Sequence, residues 1–430
     1  MRLGRRLALL AGVAALAATC AAGASAQQQK VTGPVAVYWM SAQTQTGFGM
    51  PAMGGGGKPD AGAMMRMMMG GGGGATKTLN LQLGSSQPPS GAPAAEHLPP
   101  RGLQAGASLP LLSPKASTPV REDTPEYIPR EYQKPRGRML IFWGCGEHAK
   151  PGQPVVIDFA TMTSNPQAMA GVFKAIDYRP MQPPSPARNK TYGEWPNSQT
   201  KTTVPPNGSL IGPHTIQGNY SPEISFMLGE DQDFLGPLNL ATNQRNAVGG
   251  VDLGWNLVGN AQAYFASAMG GAGDTVVMWT SSELQAAPFG VMDYLSTGDI
   301  ARLVANRTLM GPATRACKVP KEVMDALGGG GGGGGIVQLA AYGGEANFVY
   351  PPRPTNPKIA WNQEWAVKVR YRSATGGLLG MAMPQMDGGR QAGGYPGAGQ
   401  PPPPGQPPKA PSAGDILKQG ILGGLPFPRR

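Results

Sequence analysis

The sequence predicts a mainly β, sandwich-like protein with a short helical insertion and long disordered segments rich in Gly, Pro and Met. Three observations carry that expectation. Short runs of β-branched, aromatic and leucine residues recur along the chain, several in strict alternation. Helical spacing with a start signal is confined to one region, near 297–327. The 65 glycines and 45 prolines fall mostly in blocks between the apolar runs, so the foldable part is well short of the full 430 residues.

Taken in order, residues 1–26 have the layout of a cleavable export signal. Arg2, Arg5 and Arg6 precede an apolar run from Leu7 to Ala18, and Ala24-Ser25-Ala26 is a small-x-small cleavage site before Gln27. The run is too short to span a bilayer, and no later stretch is long and apolar enough to make a transmembrane helix. Ala17-Ala18-Thr19-Cys20 lacks the pattern of a lipoprotein signal, and Arg5-Arg6 is followed by Ala8 where a twin-arginine signal wants a bulky apolar residue. The expected location is therefore periplasmic or extracellular. Removing Arg2, Arg5 and Arg6 leaves 33 of the 36 basic residues against 25 acidic ones, a formal charge of +8. That balance favours anionic surroundings without identifying one.

Residues 27–165 read as an N-terminal β domain with low-complexity inserts at 49–75 and 85–136. Its strands are expected at Val35–Met40, Thr78–Leu83, Met139–Trp143 and Val155–Phe159. The 85–136 stretch, rich in Pro, Ala and Ser, reads as a linker, and 166–220 as an irregular connection. A C-terminal β domain is expected over 221–376. Strands are placed at Glu223–Leu228, Val251–Phe265, Thr275–Trp279, Ile336–Tyr342, Ala346–Tyr350 and Trp365–Tyr371. Ser296 and Asp299 start a helix whose face is Ile300, Leu303 and Val304, with Pro312 as its stop. Pro320 opens a second short helix that ends in the glycines from Gly328. Residues 377–430 form a Gly/Pro-rich tail.

Within the second region, Val251 to Tyr264 reads V-D-L-G-W-N-L-V-G-N-A-Q-A-Y. Leu253, Trp255, Ala261 and Tyr264 stand where a fibronectin type III domain has its Leu-x-Trp and Ala-x-x-Tyr strands. The segment, about 248–283, resembles that family. The resemblance implies an immunoglobulin-like sandwich, a scaffold used mainly in adhesion and recognition, and fold likeness alone assigns no activity.

Cys145 and Cys317 are the two cysteines beyond the leader. An even count in an oxidising compartment predicts a disulfide between them. No Gly-x-Ser-x-Gly elbow is present, and the Gly328–Gly335 run lacks the Lys and Ser/Thr that end a phosphate-binding loop. His97, His148 and His214 are the histidines, the first in the expected linker and the last in the expected connection. Cys145-Gly146-Glu147-His148 supplies zinc-type ligands, but a disulfide consumes the thiol. Glu230-Asp231-Gln232-Asp233 alternates carboxylates without completing a calcium loop.

Two features remain. Met64, Met65, Met67, Met68 and Met69 crowd one insert, and soft thioethers bind Cu(I) or absorb oxidants. Lys368, Arg370 and Arg372 form a basic stripe on one strand face, spaced to meet an anionic polymer. A solvated face or an edge guarded by charge is the plain alternative. No cofactor and no nucleic-acid module is implied. The sequence thus points to an exported, non-catalytic binding, adhesion or envelope protein, whose partner is an anionic envelope polymer or another envelope protein. Metal handling through the methionines is the first alternative. A hydrolase with scattered carboxylates is the second.

Overall fold

The computed structural model describes residues 30–47, 74–114, 137–159, 181–285, 291, 293–328 and 334–381. The export signal, the Met-rich insert and the tail beyond 381 lie outside the described residues. The chain is mainly β, as its alternating apolar runs require. In chain order the strands are β1 (Val31–Thr32), β2 (Ala36–Gln45), β3 (Thr76–Ser85), β4 (Ala95–Leu98), β5 (Leu109–Pro110), β6 (Arg138–Trp143), β7 (Val155–Asp158), β8 (Thr191–Trp195) and β9 (Gly212–Gly218). They continue with β10 (Ile224–Leu228), β11 (Leu240–Arg245), β12 (Val251–Trp255), β13 (Ala261–Ala272), β14 (Thr275–Thr280), β15 (Ala316–Val319), β16 (Gly334–Tyr350), β17 (Trp361–Asn362) and β18 (Trp365–Leu378). The helices are α1 (Thr297–Ala305) and α2 (Lys321–Ala326).

Nine strands make one mixed sheet in the order β7-β6-β14-β13-β16-β18-β2-β3-β8. Two neighbouring pairs, β6–β14 and β2–β18, run parallel, and the other neighbours run antiparallel. Strands expected in separate N-terminal and C-terminal regions therefore share one sheet. The reason the sequence hides this is physical: alternation tells which face a side chain takes, not which strand lies beside it.

On the inner face, alternate residues of the central strands enter one buried cluster. Tyr38, Met40 and Ala42 lie beside Leu79, Leu81 and Leu83 on one side and beside Val367, Val369 and Tyr371 on the other. The same cluster takes Ile216, Ile224 and Phe226 from the sheet β10-β9-β4-β5, and Leu253, Trp255 and Val319 from the sheet β11-β12-β15. These two smaller sheets form the second layer. Full burial of each Val, Leu, Ile, Phe or Met among them contributes about 1.5–3 kcal/mol.

The stretch expected to be a linker supplies β4, β5 and the buried Leu103, Leu109 and Leu111. The expected irregular connection supplies β8 and β9. Both readings are corrected: β4, β5 and β9 bury only one or two residues each, and β8 buries four of five without alternation, so none leaves a periodic signal in a Pro-containing background. The segment from Val251 to Tyr264 carries the chain between layers: β12 belongs to the three-stranded sheet and β13 to the nine-stranded one. The rings of Trp255 and Tyr264 meet across that corner at 5.9 Å.

The outer face is covered in part by α1. Ser296 Oγ accepts from Asp299 N at 3.0 Å, the capping contact that its spacing predicts. Ile300 and Leu303 then pack against Phe265, Ala340 and Tyr342. The helix stops at Ala305, ahead of Pro312, with Arg307 in the left-handed region at φ 64°. The two strands expected at 336–342 and 346–350 are one strand, β16, broken by a bulge at Gly343-Gly344. A Cβ at Gly343 would lie 2.8 Å from Tyr371 Cβ, and one at Gly344 would lie 2.5 Å from Gln262 Nε2, so neither face has room for a side chain.

Cys145 and Cys317 are joined as a disulfide across 172 residues, with Cα atoms 5.3 Å apart. Cys145 follows β6 of the large sheet and Cys317 lies in β15 of the second layer, so the bond ties the layers together. Backbone contacts flank it: Gly146 N donates to Lys318 O at 2.9 Å, and Lys321 N donates to Glu147 O at 3.0 Å. Closing so long a loop removes unfolded-state entropy. Replacing both cysteines by serine is expected to lower unfolding stability by about 2–5 kcal/mol, read as a drop in the urea midpoint under non-reducing conditions.

Candidate functional site

Two polar clusters lie buried on opposite faces of the large sheet. On the inner face, Tyr38 of β2, His97 of β4 and His214 of β9 form a chain. Tyr38 Oη lies 2.6 Å from His97 Nδ1, His97 Nε2 lies 2.9 Å from His214 Nδ1, and His214 Nε2 lies 2.7 Å from the Leu210 carbonyl. The carbonyl can only accept, so His214 donates from Nε2 and accepts at Nδ1. His97 must then donate from Nε2 and accept from the Tyr38 hydroxyl at Nδ1. Every link is satisfied with both rings neutral. Phe226 stacks on His214 at 5.0 Å, sealing the chain between the layers.

The two histidines that the sequence left in a linker and a connection are thus core residues holding one layer to the other. Burial, together with His214 beside it, holds His97 well below the usual histidine range. Burial takes His214 down to about 4, against a smaller opposing pull from the Leu210 carbonyl.

On the outer face, β18 lies between β16 and β2. Residues two apart share a face, so Lys368, Arg370 and Arg372 form the ladder that the sequence pattern indicated. In register, Arg372 pairs with Gln43, Arg370 with Ser41, and Lys368 with Trp39. From the β16 side, Tyr342 pairs with Arg372, Glu345 with Arg370 and Asn347 with Lys368. The bulge at Gly343-Gly344 keeps Tyr342 and Glu345 on this same face.

The two arginines are buried and Lys368 is half-buried, which sets aside the plain alternative of a solvated face. Arg370 is 5% exposed and Arg372 7%. Tyr294, just ahead of α1, closes over Arg370, with the guanidinium 4.5 Å from its ring centre and 4.8 Å from that of Trp39. Arg370 also donates to Ser41 Oγ from Nε at 3.1 Å and from Nη2 at 2.6 Å. Lys368 donates to Glu345 Oε2 at 2.6 Å and lies 5.8 Å from the Trp39 ring. Each such cation–ring contact contributes about 0.5–2 kcal/mol. Burial pushes the Tyr294 hydroxyl up to about 12, although Arg370 and Arg372 pull the other way, so it stays protonated beside them.

Arg372 differs from Arg370. Its Nε–H is buried without a hydrogen-bond partner, and so is Oε1 of Gln43, the residue opposite it. The Gln43 amide is turned by its own chain of bonds: Nε2 donates to Gln45 Oε1 at 2.9 Å, and Gln45 Nε2 donates to Thr46 O at 2.9 Å. An unspent donor and an unspent acceptor therefore stand at paired register positions on the face that carries Arg370 and Lys368. A buried N–H without an acceptor is costly, which makes this the strongest candidate site among the described residues.

The other motifs are placed as follows. Cys145 is spent in the disulfide, Glu147 pairs with Lys318 at 2.7 Å and His148 with Glu322 at 3.0 Å. Asp233 of the acidic loop accepts from Ser209 Oγ at 2.7 Å and from Leu210 N at 2.8 Å. Among the described residues no group of three or more His, Cys, Asp or Glu side chains is arranged to hold a metal ion. Met64, Met65, Met67, Met68 and Met69 lie outside the described residues. Sequence reasoning missed Gln43, Ser41, Trp39 and Tyr294. The first three alternate along β2 opposite the apolar set, but Ser41 and Gln43 lie past Met40, where the expected strand ended, and nothing in the sequence pointed to Tyr294. No known protein family, curated protein or solved structure matches this chain.

The histidine chain gives a pH dependence. In the unfolded chain both rings take a proton near pH 6.5, while in the folded protein they do so only at lower pH. Stability is then fully present above about pH 6.5 and is lost as pH falls toward 4. For His214 alone the loss by pH 4.5 is on the order of 2–3 kcal/mol. Urea midpoints at pH 7.5 and 4.5 test this, and equal midpoints would contradict the tautomer assignment.

Proposed function

We propose that this chain is an exported envelope protein whose work is binding, and that it receives an anionic group of an envelope component at Lys368, Arg370 and Arg372. The observation that carries the reading is the buried Arg372, whose Nε–H has no partner although Arg370 and Lys368 share its strand face. Its burial argues against a stripe of exposed cations running along a polymer. It suits a single anionic group seated at Arg372 beside the fixed charge of Arg370, where the low local dielectric strengthens the attraction.

Export is supported by the leader's composition and by the disulfide, a bond that persists in oxidising compartments. The positive balance of the chain would draw anionic material toward it over a range set by ionic strength.

The test is a titration of the mature protein, its start at Gln27 confirmed by intact mass, with lipopolysaccharide, an acidic glycan and a neutral glycan. Saturable binding to an anionic component is expected, weakened by salt, together with at least a tenfold loss in Arg372→Met. Equal binding of neutral and anionic glycans would remove the reading.

A further inference from the structure

The two unspent atoms ask for a ligand of particular chemistry. Arg372 Nε–H needs an acceptor, and Gln43 Oε1 needs a donor. Carboxylate and sulfate oxygens carry no proton at neutral pH and satisfy only the arginine. A neutral hydroxyl satisfies both atoms but leaves the charge of Arg372 without a counter-ion. A phosphate group that retains a hydroxyl does all three: its oxygens accept from the guanidinium, its charge offsets the cation, and its O–H donates to the glutamine.

We infer that Arg372 and Gln43, paired in register on the outer face, form a site for a protonated phosphate group, and that it discriminates against sulfate. The inference rests on the anionic-binding reading above and narrows it. Arg370 is engaged with Ser41, Trp39 and Tyr294, which leaves Arg372 as the phosphate's direct donor and gives Arg370 the part of a fixed neighbouring charge. The Gln43–Gln45–Thr46 chain holds the amide oxygen in place, because Nε2 is already committed to Gln45. Rotating the amide would break that bond and present a second donor in place of the acceptor. Lys368 is held by Glu345 and stands two residues farther along the ladder.

The experiment is a calorimetric and thermal-melt titration of the full mature protein with inorganic phosphate, glycerol phosphate, sulfate and acetate at matched ionic strength. Phosphate and sulfate both stabilise folded proteins generally, so the readout is the difference between them and its dependence on the two side chains. Phosphate is expected to bind at least tenfold tighter than sulfate or acetate. Gln43→Met is expected to bring phosphate and sulfate to within about twofold of each other, and Arg372→Met to lose the phosphate response without lowering the melting temperature, because the buried cation goes with it. If Arg372→Met does not fold, wild-type selectivity and the Gln43→Met variant still decide. Tighter binding of inorganic phosphate than of glycerol phosphate assigns the free ion, and the reverse assigns a phosphate ester of a larger molecule. Binding of anionic envelope material without selectivity between phosphate and sulfate overturns this inference and leaves the broader reading standing. Binding of none of these overturns both.

Discussion

Ten consecutive residues of β18, Trp365 to Ala374, lie in parallel register beside ten of β2, Ala36 to Gln45. The two strands come from opposite ends of the described chain, and much of the molecule is organised by that pairing. It joins β16, β13, β14, β6 and β7 on one side to β3 and β8 on the other, so a single sheet runs through the protein. It aligns Val367, Val369 and Tyr371 with Tyr38, Met40 and Ala42 on the inner face. The same register brings Arg372 to Gln43 and Arg370 to Ser41 on the outer face. A slip of one residue would invert both faces, putting guanidiniums into the core and tyrosine among the polar ladder. The inner face is apolar enough to forbid the slip, and so the core fixes the geometry of the polar site behind it.

The second layer is held to that sheet by three different means. Apolar contact is the most extensive, through the cluster that takes residues from all three of the larger sheets. The disulfide acts on the unfolded chain, removing conformations that separate Cys145 from Cys317. The Tyr38–His97–His214 chain is directional and contributes specificity of packing, since each ring nitrogen has one acceptable neighbour. Its neutrality is a condition of the fold at the inner face. On the outer face the opposite holds, because arginine keeps its charge wherever it is buried. Two buried polar clusters on one sheet thus differ in kind: one is complete within the chain, and the other leaves a donor and an acceptor unspent.

Several elements were legible in the sequence for local reasons. Thr78 to Leu83 alternates so cleanly that its face is unambiguous, and Leu79, Leu81 and Leu83 are buried as the alternation requires. Ser296 with Asp299 announces α1 through capping chemistry that involves only neighbours. Other elements were not legible. β4 has four residues and β5 has two, too few for a period to show. His97 and His214 are 117 residues apart, and Tyr294 is 76 positions from the arginine that it covers. Neither contact leaves a trace in local composition.

What the sequence determined by itself was everything set by nearest neighbours and by alternation: a mainly β chain, the face that each strong strand buries, one capped helix, and the common side shared by Lys368, Arg370 and Arg372. Tertiary structure alone decided which strands became neighbours, which histidines met, and whether that basic face was wet or covered. Side-chain direction along a strand follows from backbone geometry within two residues, whereas pairing and burial are sums over contacts made by segments hundreds of residues apart.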